Sequence, residues 1–456
     1  MKTPVILRIF FCVALLAAPL WSQESGASPA ATGSSDSGSR MATPPPVSGE
    51  NYATGLASET RANYLRGGLA FTTAYSDNVL GGVSTNPVSD ISYSIFPTIS
   101  LDETRSRLHW TLSYAPGFTF YQRTSSYNQA NQNFGTNFQY RLSPHVTLTL
   151  RDSFQRTSNI FNQPDLTNVI AVPGGSQNPN TPIVGPLSDM LTNNGGVELT
   201  YQFSRNGMVG VSGSATNLHY LNPSQVPGLS DSSSQGASAF YSYRLSKKHY
   251  LGASYQFQNL LSYPNGEASK TQVHGISAFY TLYVSAHLSV SVFGGPQYSE
   301  TSGTNFGLFS LPATHSWSPS YGGSLGWQGQ RTSIAVSGSR AISNGNGLVS
   351  ATNSTNGAVS VRRQLTRTLS ATVSGSYSEN QVLNGDSLFG SGINNGGHTV
   401  SGNVSVQRPV GQHFNVQAGY SRLHQSYANI GAISANPDTN RESVTISYTF
   451  SRPLGR

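Results

Sequence analysis

From about Asn63 to Phe450 the chain alternates apolar and polar residues in blocks of 10 to 15, separated by clusters of Gly, Asn, Ser and Pro. Leu65, Gly67, Leu69 and Phe71 alternate with Arg66, Gly68, Ala70 and Thr72, and Ile91, Tyr93 and Ile95 with Ser92, Ser94 and Phe96. Val146, Leu148 and Leu150 alternate with Thr147, Thr149 and Arg151, and Val444, Ile446, Tyr448 and Phe450 with Thr445, Ser447 and Thr449. A period of two places one set on each face of a strand. The pattern predicts an all-β chain.

Two kinds of connection separate the blocks. Short basic or polar turns fall near 102–106, 142–145, 203–207, 245–248, 283–287, 328–331, 364–367 and 408–412, and longer loops lie between them. The largest loop, 159–190, holds Pro164, Pro173, Pro179, Pro182 and Pro186. Eight short turns and nine longer loops require 18 antiparallel strands. A weak repeat marks the short-turn side: Tyr140-Arg141-Leu142-Ser143, Tyr201-Gln202-Phe203-Ser204, Tyr243-Arg244-Leu245-Ser246 and Tyr448-Thr449-Phe450-Ser451 each close a strand. Its aromatic recurs at one height, where a membrane-interface girdle belongs.

Composition decides between a soluble sandwich and a membrane barrel. Only 10% of residues are charged, against about 25% in ordinary soluble domains, and the polar parity carries Ser, Thr, Asn, Gln and Gly. A polar, sparsely charged face suits the interior of a barrel. The apolar face then meets lipid, and closure leaves no strand edge in hydrocarbon. A lipid-facing Arg at the midplane would cost about 2–4 kcal/mol. Arg66, Arg141, Arg151 and Arg244, all on the polar parity, are therefore expected to point inward. The fold class predicted is a transmembrane, antiparallel up-and-down β-barrel of about 18 strands over residues 61–456.

The chain begins with Lys2 and Arg8 followed by the apolar run Ile9 to Leu20, the layout of a secretory signal over residues 1–22. The single cysteine, Cys12, lies inside that run, so the mature chain would lack disulfides and thiolate chemistry. Residues 23–60, rich in Ser, Gly, Ala and Pro, read as a disordered periplasmic arm. With 26 Lys and Arg against 19 Asp and Glu, the net charge is +7. An exported basic chain points to anionic solutes, lipids or polysaccharides rather than nucleic acid.

The first strand closing on Tyr75-Ser76-Asp77-Asn78-Val79, the block Ile91-Ser92-Tyr93-Ser94-Ile95, the Tyr-Arg-Leu-Ser hairpins and the ending Tyr448-Thr449-Phe450-Ser451-Arg452-Pro453-Leu454 carry a resemblance. The chain resembles the outer-membrane β-barrels of the porin type associated with exopolysaccharide loci. That resemblance implies the fold and location in the outer membrane of a Gram-negative-type bacterium. The solute of such barrels is not implied by it. Tyr448 and Phe450 also look like an assembly signal for the barrel insertion machinery, although six residues follow Phe450 where many such proteins stop at the aromatic.

Within the barrel, Arg66, Arg141, Arg151 and Arg244 are candidates for an electropositive wall that selects anions. The plainer reading pairs them with a lumen acid such as Glu198. Phe96, Phe240, Phe279 and Phe293 are aromatic on the polar parity and lie four to seven residues from a short turn. They are candidates for an inward belt, either a sugar-stacking track or a constriction, unless bulges turn them to lipid. His109, His219, His274 and His424 could suggest a barrel hydrolase. No motif fixes a nucleophile, base and oxyanion donor together, so no catalytic residue is assigned and no enzyme is expected. No ligand spacing supports a metal, and no cofactor is expected. Pairs such as Gly67-Gly68, Gly195-Gly196, Gly294-Gly295 and Gly322-Gly323 precede no helical period and read as places where strands bend or pack closely.

The expected function is passive movement of a hydrophilic, anionic or saccharide solute through the lumen. The alternative is a surface scaffold or adhesion barrel whose external loops bind a partner without transport. Outer-membrane lipids and the insertion machinery are the further partners expected.

Overall fold

The computed structural model describes residues 63–79, 86–157, 188–222, 229–263, 269–285, 287–302, 305–306, 309–310, 313–345, 349–383, 396–427 and 438–454. The expected signal segment, the 23–60 arm and most of the 159–190 loop lie outside them.

Each alternating block forms one strand. In chain order these are β1 (Tyr64–Ser76), β2 (Asp90–Thr104), β3 (Leu108–Tyr121), β4 (Gln129–Arg141), β5 (Val146–Thr157), β6 (Met190–Tyr201), β7 (Gly207–Tyr220), β8 (Ser232–Arg244) and β9 (His249–Ser262). They continue as β10 (Ser269–Ser285), β11 (Leu288–Thr301), β12 (Thr314–Gln328), β13 (Thr332–Gly345), β14 (Val349–Gln364), β15 (Ser370–Val382), β16 (Gly397–Val410), β17 (Phe414–Tyr427) and β18 (Asp438–Pro453). Every neighbour in sequence is an antiparallel neighbour in space. β1 pairs with β18 from Tyr64↔Pro453 to Ser76↔Arg441, closing an 18-stranded barrel.

All eight short turns of the sequence pattern lie at one end of the barrel and the loops at the other. The turn between β16 and β17 needs Gly411 at φ +70°, a left-handed backbone that suits glycine. One connection counted among the longer loops is short: β13 and β14 are joined through residues 346–348. A two-stranded hairpin of Asn305–Phe306 and Phe309–Ser310 sits in the connection between β11 and β12.

The burial pattern inverts that of a soluble protein. Leu69, Ile99 and Val211 are 50%, 50% and 54% exposed, while Ala70, Ser94 and Thr119 are 0%, 1% and 0% exposed. Apolar residues thus cover the outer face, and small polar ones line the inner face. Hydroxyl pairs tie inner neighbours together, as in Ser94 Oγ to Thr119 Oγ1 at 2.9 Å and Ser254 Oγ to Ser277 Oγ at 2.9 Å.

Short gaps interrupt the β2–β3 ladder between Ile95↔Phe118 and Ile99↔Tyr114 and the β10–β11 ladder between Gly275↔Gln297 and Ala278↔Gly294, and among the described residues one longer seam opens the wall. β12 and β13 pair only from Gln328↔Ser333 to Tyr321↔Arg340, whereas β12 runs on to Thr314 beside β11 and β13 to Gly345 beside β14. Pro319 explains where the ladder stops. It stands opposite Pro296 of β11, and two prolines can face each other only at a non-hydrogen-bonded position. Pro319 therefore turns its donor-less nitrogen toward β13. Beyond the seam the β13–β14 hairpin rolls inside the wall. Ile342 N–H donates to Gln297 Oε1 of β11 (3.3 Å), and Asn344 Nδ2 donates to Ser232 Oγ of β8 (3.1 Å). Ile342 and Ala351 pack with Leu260 of β9 and Val273 of β10, with Leu383 at the margin. The loop end of the sheet overlaps itself there.

Candidate functional site: the inner wall and its narrowed mouth

The inner wall is set by register. Arg66 lies near the turn end of β1, opposite Ser100 and Ser451, with its guanidinium 5.9 Å from the Tyr64 ring centroid. Arg141 ends β4 opposite Thr147, and Arg151 stands between Asn137 and Gly196. Glu198, two residues along β6, is the diagonal neighbour of Arg151 on that face. Arg244 ends β8, its guanidinium 5.8 Å from the Tyr250 ring centroid and its Nε donating to Ser246 O at 3.3 Å. The five residues share the inner parity, and Arg141, Arg151 and Glu198 form one panel on β4–β6. Arg66 and Arg244 stand apart from that panel. None of the ion pairs among the described residues joins Arg66, Arg141 or Arg151 to Glu198.

Two further arginines share the inner face: Arg362, opposite Ser333 and Thr372, and Arg441, opposite Ser76 and Ser421. The inner acids among the described strands are Asp90, Asp102 and Glu198. Asp102 pairs with His109 Nε2 at 3.3 Å, with both side chains nearly buried. Asp90 is engaged by backbone, accepting from Ile91 N (2.7 Å), Arg123 N (3.1 Å) and Thr124 N (2.8 Å). Positive charge predominates on the wall. The sequence signal for Arg441 was its parity with Thr445 and Ser447, whereas the adjacent pair Arg362-Arg363 conceals which of the two points in.

Phe96, Phe240, Phe279 and Phe293 all sit on the inner face, but their rings do not project into the lumen as a track. Each lies on a glycine of a neighbouring strand: Phe96 on Gly117, Phe240 on Gly210, Phe279 on Gly252 and Phe293 on Gly322. Phe96, Phe279 and Phe293 are 2%, 2% and 5% exposed, which leaves little ring surface for a solute. Such rings shield backbone that glycine leaves bare.

Of the four barrel histidines, His109 faces inward and the other three outward. His219 Nδ1 meets Asp231 Oδ2 at 2.6 Å, Tyr255 Oη meets His274 Nδ1 at 2.8 Å, and His424 Nδ1 meets Asp438 Oδ1 at 3.2 Å. They are dispersed over the wall. Among the described residues, no three His, Cys, Asp or Glu side chains are grouped to hold a metal ion. Tyr448 and Phe450 face outward near the turn end: the Tyr448 ring centroid lies 5.2 Å from that of Phe414, and Phe450 covers Gly67 of β1.

A lumen of this kind offers hydroxyl and amide hydrogen bonds, arginines near the turn end, and a mouth narrowed at the loop end by the Ile342, Ala351, Leu260 and Val273 overlap.

No family model and no curated protein matches the chain. Among solved structures, the chain is similar to OccK2 (OpdF) of Pseudomonas aeruginosa, at 9% identity and TM-score 0.41 over 85% of this chain and 98% of that one. It is similar to OccAB4 of Acinetobacter baumannii, at 11% identity and TM-score 0.41 over 86% and 99%. A third similarity is to OpdK of Pseudomonas aeruginosa, solved with vanillate, at 11% identity and TM-score 0.40 over 85% and 99%.

Proposed function

We propose that the chain is an outer-membrane channel through which a small hydrophilic solute, anionic by preference, crosses passively. The observation that carries this reading is the inverted polarity of a closed barrel. A continuous outer face of exposed Leu, Ile, Val and aromatic residues surrounds a wall of buried Ser, Thr and Asn. In water that outer face would be a large aggregation-prone patch; in a bilayer it is the solvated surface, and closure satisfies the backbone. Outward Tyr140, Tyr201, Tyr243 and Tyr448 near the turn end support one interface, and Tyr298 with Trp317 the other. The inner arginines support anion preference, since a low-dielectric wall focuses their field. The overlap at the loop mouth supports a narrow path with a small conductance.

The test is the conductance and reversal potential of refolded mature protein in a planar bilayer under a salt gradient. Open, anion-biased channels of small conductance are expected. A correctly folded barrel that passes no current, and binds a surface partner through its loops, would replace the channel with the scaffold reading.

A further inference from the structure

Toward the loop end the inner faces of β9 and β10 are polar except at Leu260 and Val273, which lie among Gln258, Ser262, Thr271 and Gly275. Leu260 and Val273 are 4% and 2% exposed because Ile342 and Ala351 of the rolled-in hairpin cover them. Ile342 and Ala351 have outer parity. Lower in the wall that parity carries Val336 of β13 and Val359 of β14, both exposed, toward lipid. The hairpin therefore lays its lipid-side face on an apolar pad inside the wall.

The same hairpin also fits the seam it leaves open. The β12–β13 register holds from Gln328↔Ser333 to Tyr321↔Arg340. Carried on, it pairs Pro319 with Ile342, Ser318 with Ser343 and Trp317 with Asn344, each with its own parity. Pro319 has no N–H to give, but its carbonyl points where the Ile342 N–H would arrive. In the rolled-in position that N–H is held instead by the Gln297 side chain, at 3.3 Å. Among the described residues, Ser318 Oγ and Asn344 Oδ1 are buried there without a hydrogen-bond partner, and each such orphan costs stability. Backbone groups along the upper edges of β12 and β13 forgo each other as well. Rolling in thus gains apolar burial and gives up pairing; returning to the seam gains pairing and uncovers the pad.

We propose that the β13–β14 hairpin is a gate with two seats: rolled in on Leu260 and Val273, or zipped to the upper edge of β12 as a continuation of the wall. Rolled in, Ile342 and Ala351 narrow the mouth. Zipped, Ile342 turns to lipid beside Pro319, and the mouth opens to the width of an 18-stranded wall. The ladder between β13 and β14 is kept in both seats, so the two strands move as one body. The two seats belong to the hairpin itself; that they set solute passage rests on the channel reading.

Residues 23–456 contain no cysteine, so introduced pairs report without background in the full mature protein. Val273→Cys with Ile342→Cys traps the rolled-in seat, and Ser318→Cys with Ser343→Cys traps the zipped one. In the zipped seat Ser318 and Ser343 form a non-hydrogen-bonded pair with Cα atoms about 4.5 Å apart, within disulfide reach. Both pairs are expected to cross-link on mild oxidation in lipid nanodiscs. In planar bilayers the zipped lock should conduct at least about twofold more than the rolled-in lock, and reduction should erase the difference. The gate is overturned if Ser318→Cys with Ser343→Cys does not cross-link in a barrel that keeps its fast-migrating band, or if the two locks conduct equally. Trp317→Cys with Asn344→Cys is the second trap for the zipped seat should the first pair not fold. Both disulfides forming in barrels that pass no current would retain the two seats and remove the channel.

Discussion

Phe279 of β10 and Phe293 of β11 stand directly opposite each other on the inner face, and each ring covers a glycine on the far side, Gly252 of β9 and Gly322 of β12. Four adjacent strands thus carry one row in which two rings are flanked by two residues without side chains. The rings occupy the space that the glycines leave, so volume is conserved along the row while backbone is shielded.

A direct test of this device is Gly210, whose added Cβ would meet the ring of Phe240 first. Gly210→Ala is expected to destabilise the barrel by about 1–3 kcal/mol through overpacking. The readout is the temperature at which the folded, fast-migrating band is lost on a detergent gel. Adding Phe240→Ala should recover part of the loss. Strict additivity of the two changes would show that the ring and the glycine do not depend on each other.

The arginine panel makes a second prediction. Arg141→Gln with Arg151→Gln removes two positive charges from one side of the inner wall and leaves Glu198. The reversal potential under a salt gradient should move toward cation preference, with a change in permeability ratio of roughly two- to tenfold. A ratio that does not move would mean that ions pass elsewhere, or that Arg66, Arg244, Arg362 and Arg441 set the selectivity.

At the loop mouth, Ile342 of the rolled-in hairpin rests on Leu260 and Val273 of the wall. Ile342→Ala and Leu260→Ala each remove about 2–5 kcal/mol of packing from that overlap. If the overlap is the narrowest point, the double variant should show larger unitary conductance with unchanged ion preference. Unaltered conductance would place the narrowest point away from this overlap.

Asp90 is 3% exposed and takes hydrogen bonds from the backbone of Arg123 and Thr124 and from Thr124 Oγ1 at 2.7 Å. It staples the connection between β3 and β4 to the start of β2. Asp90→Ala leaves those donors without their acceptor and should cost about 1–3 kcal/mol locally. Hydrogen exchange at residues 122–128 is expected to accelerate while the strand amides of β2 and β3 stay protected. Unchanged exchange at 122–128 would show that the loop is held by other contacts.

Much of this architecture was legible because a period of two needs no tertiary information: Leu69 and Phe71, or Val197 and Leu199, declare a face on their own. The turn ends were legible for the same reason, since Tyr-Arg-Leu-Ser recurs where strands stop. The pairing of Phe240 with Gly210 was not, because ring and glycine lie on different strands and only register brings them together. The rolled-in seam was hidden more deeply. The outer beat of β13 runs unbroken through Val336, Gly338, Arg340 and Ile342, yet the last of these ends inside the wall. Pro319 marked the place, as a proline in a strand argues for an edge, but Pro97, Pro116 and Pro296 lie in strands that pair on both sides, and only register tells them apart. Arg340 shows the limit of parity arguments: it stands on the outer face that the cost of a lipid-exposed charge would forbid.

Thr72 Oγ1 and Thr445 Oγ1 meet at 2.8 Å although 373 residues separate them, and Leu454 N–H donates to Asn63 O at 3.0 Å. The two ends of the barrel are therefore stitched together at the turn rim, and the ring of strands has no structural beginning. Closure is the contact of highest sequence separation among the described strands, so it must await the last strand, and a chain cut short before β18 would keep two raw edges. Conversely, joining the ends at that rim and reopening the chain at an opposite-side loop would preserve every rung of the ladder. In such a circular permutant the order of synthesis would change while the finished cylinder would not.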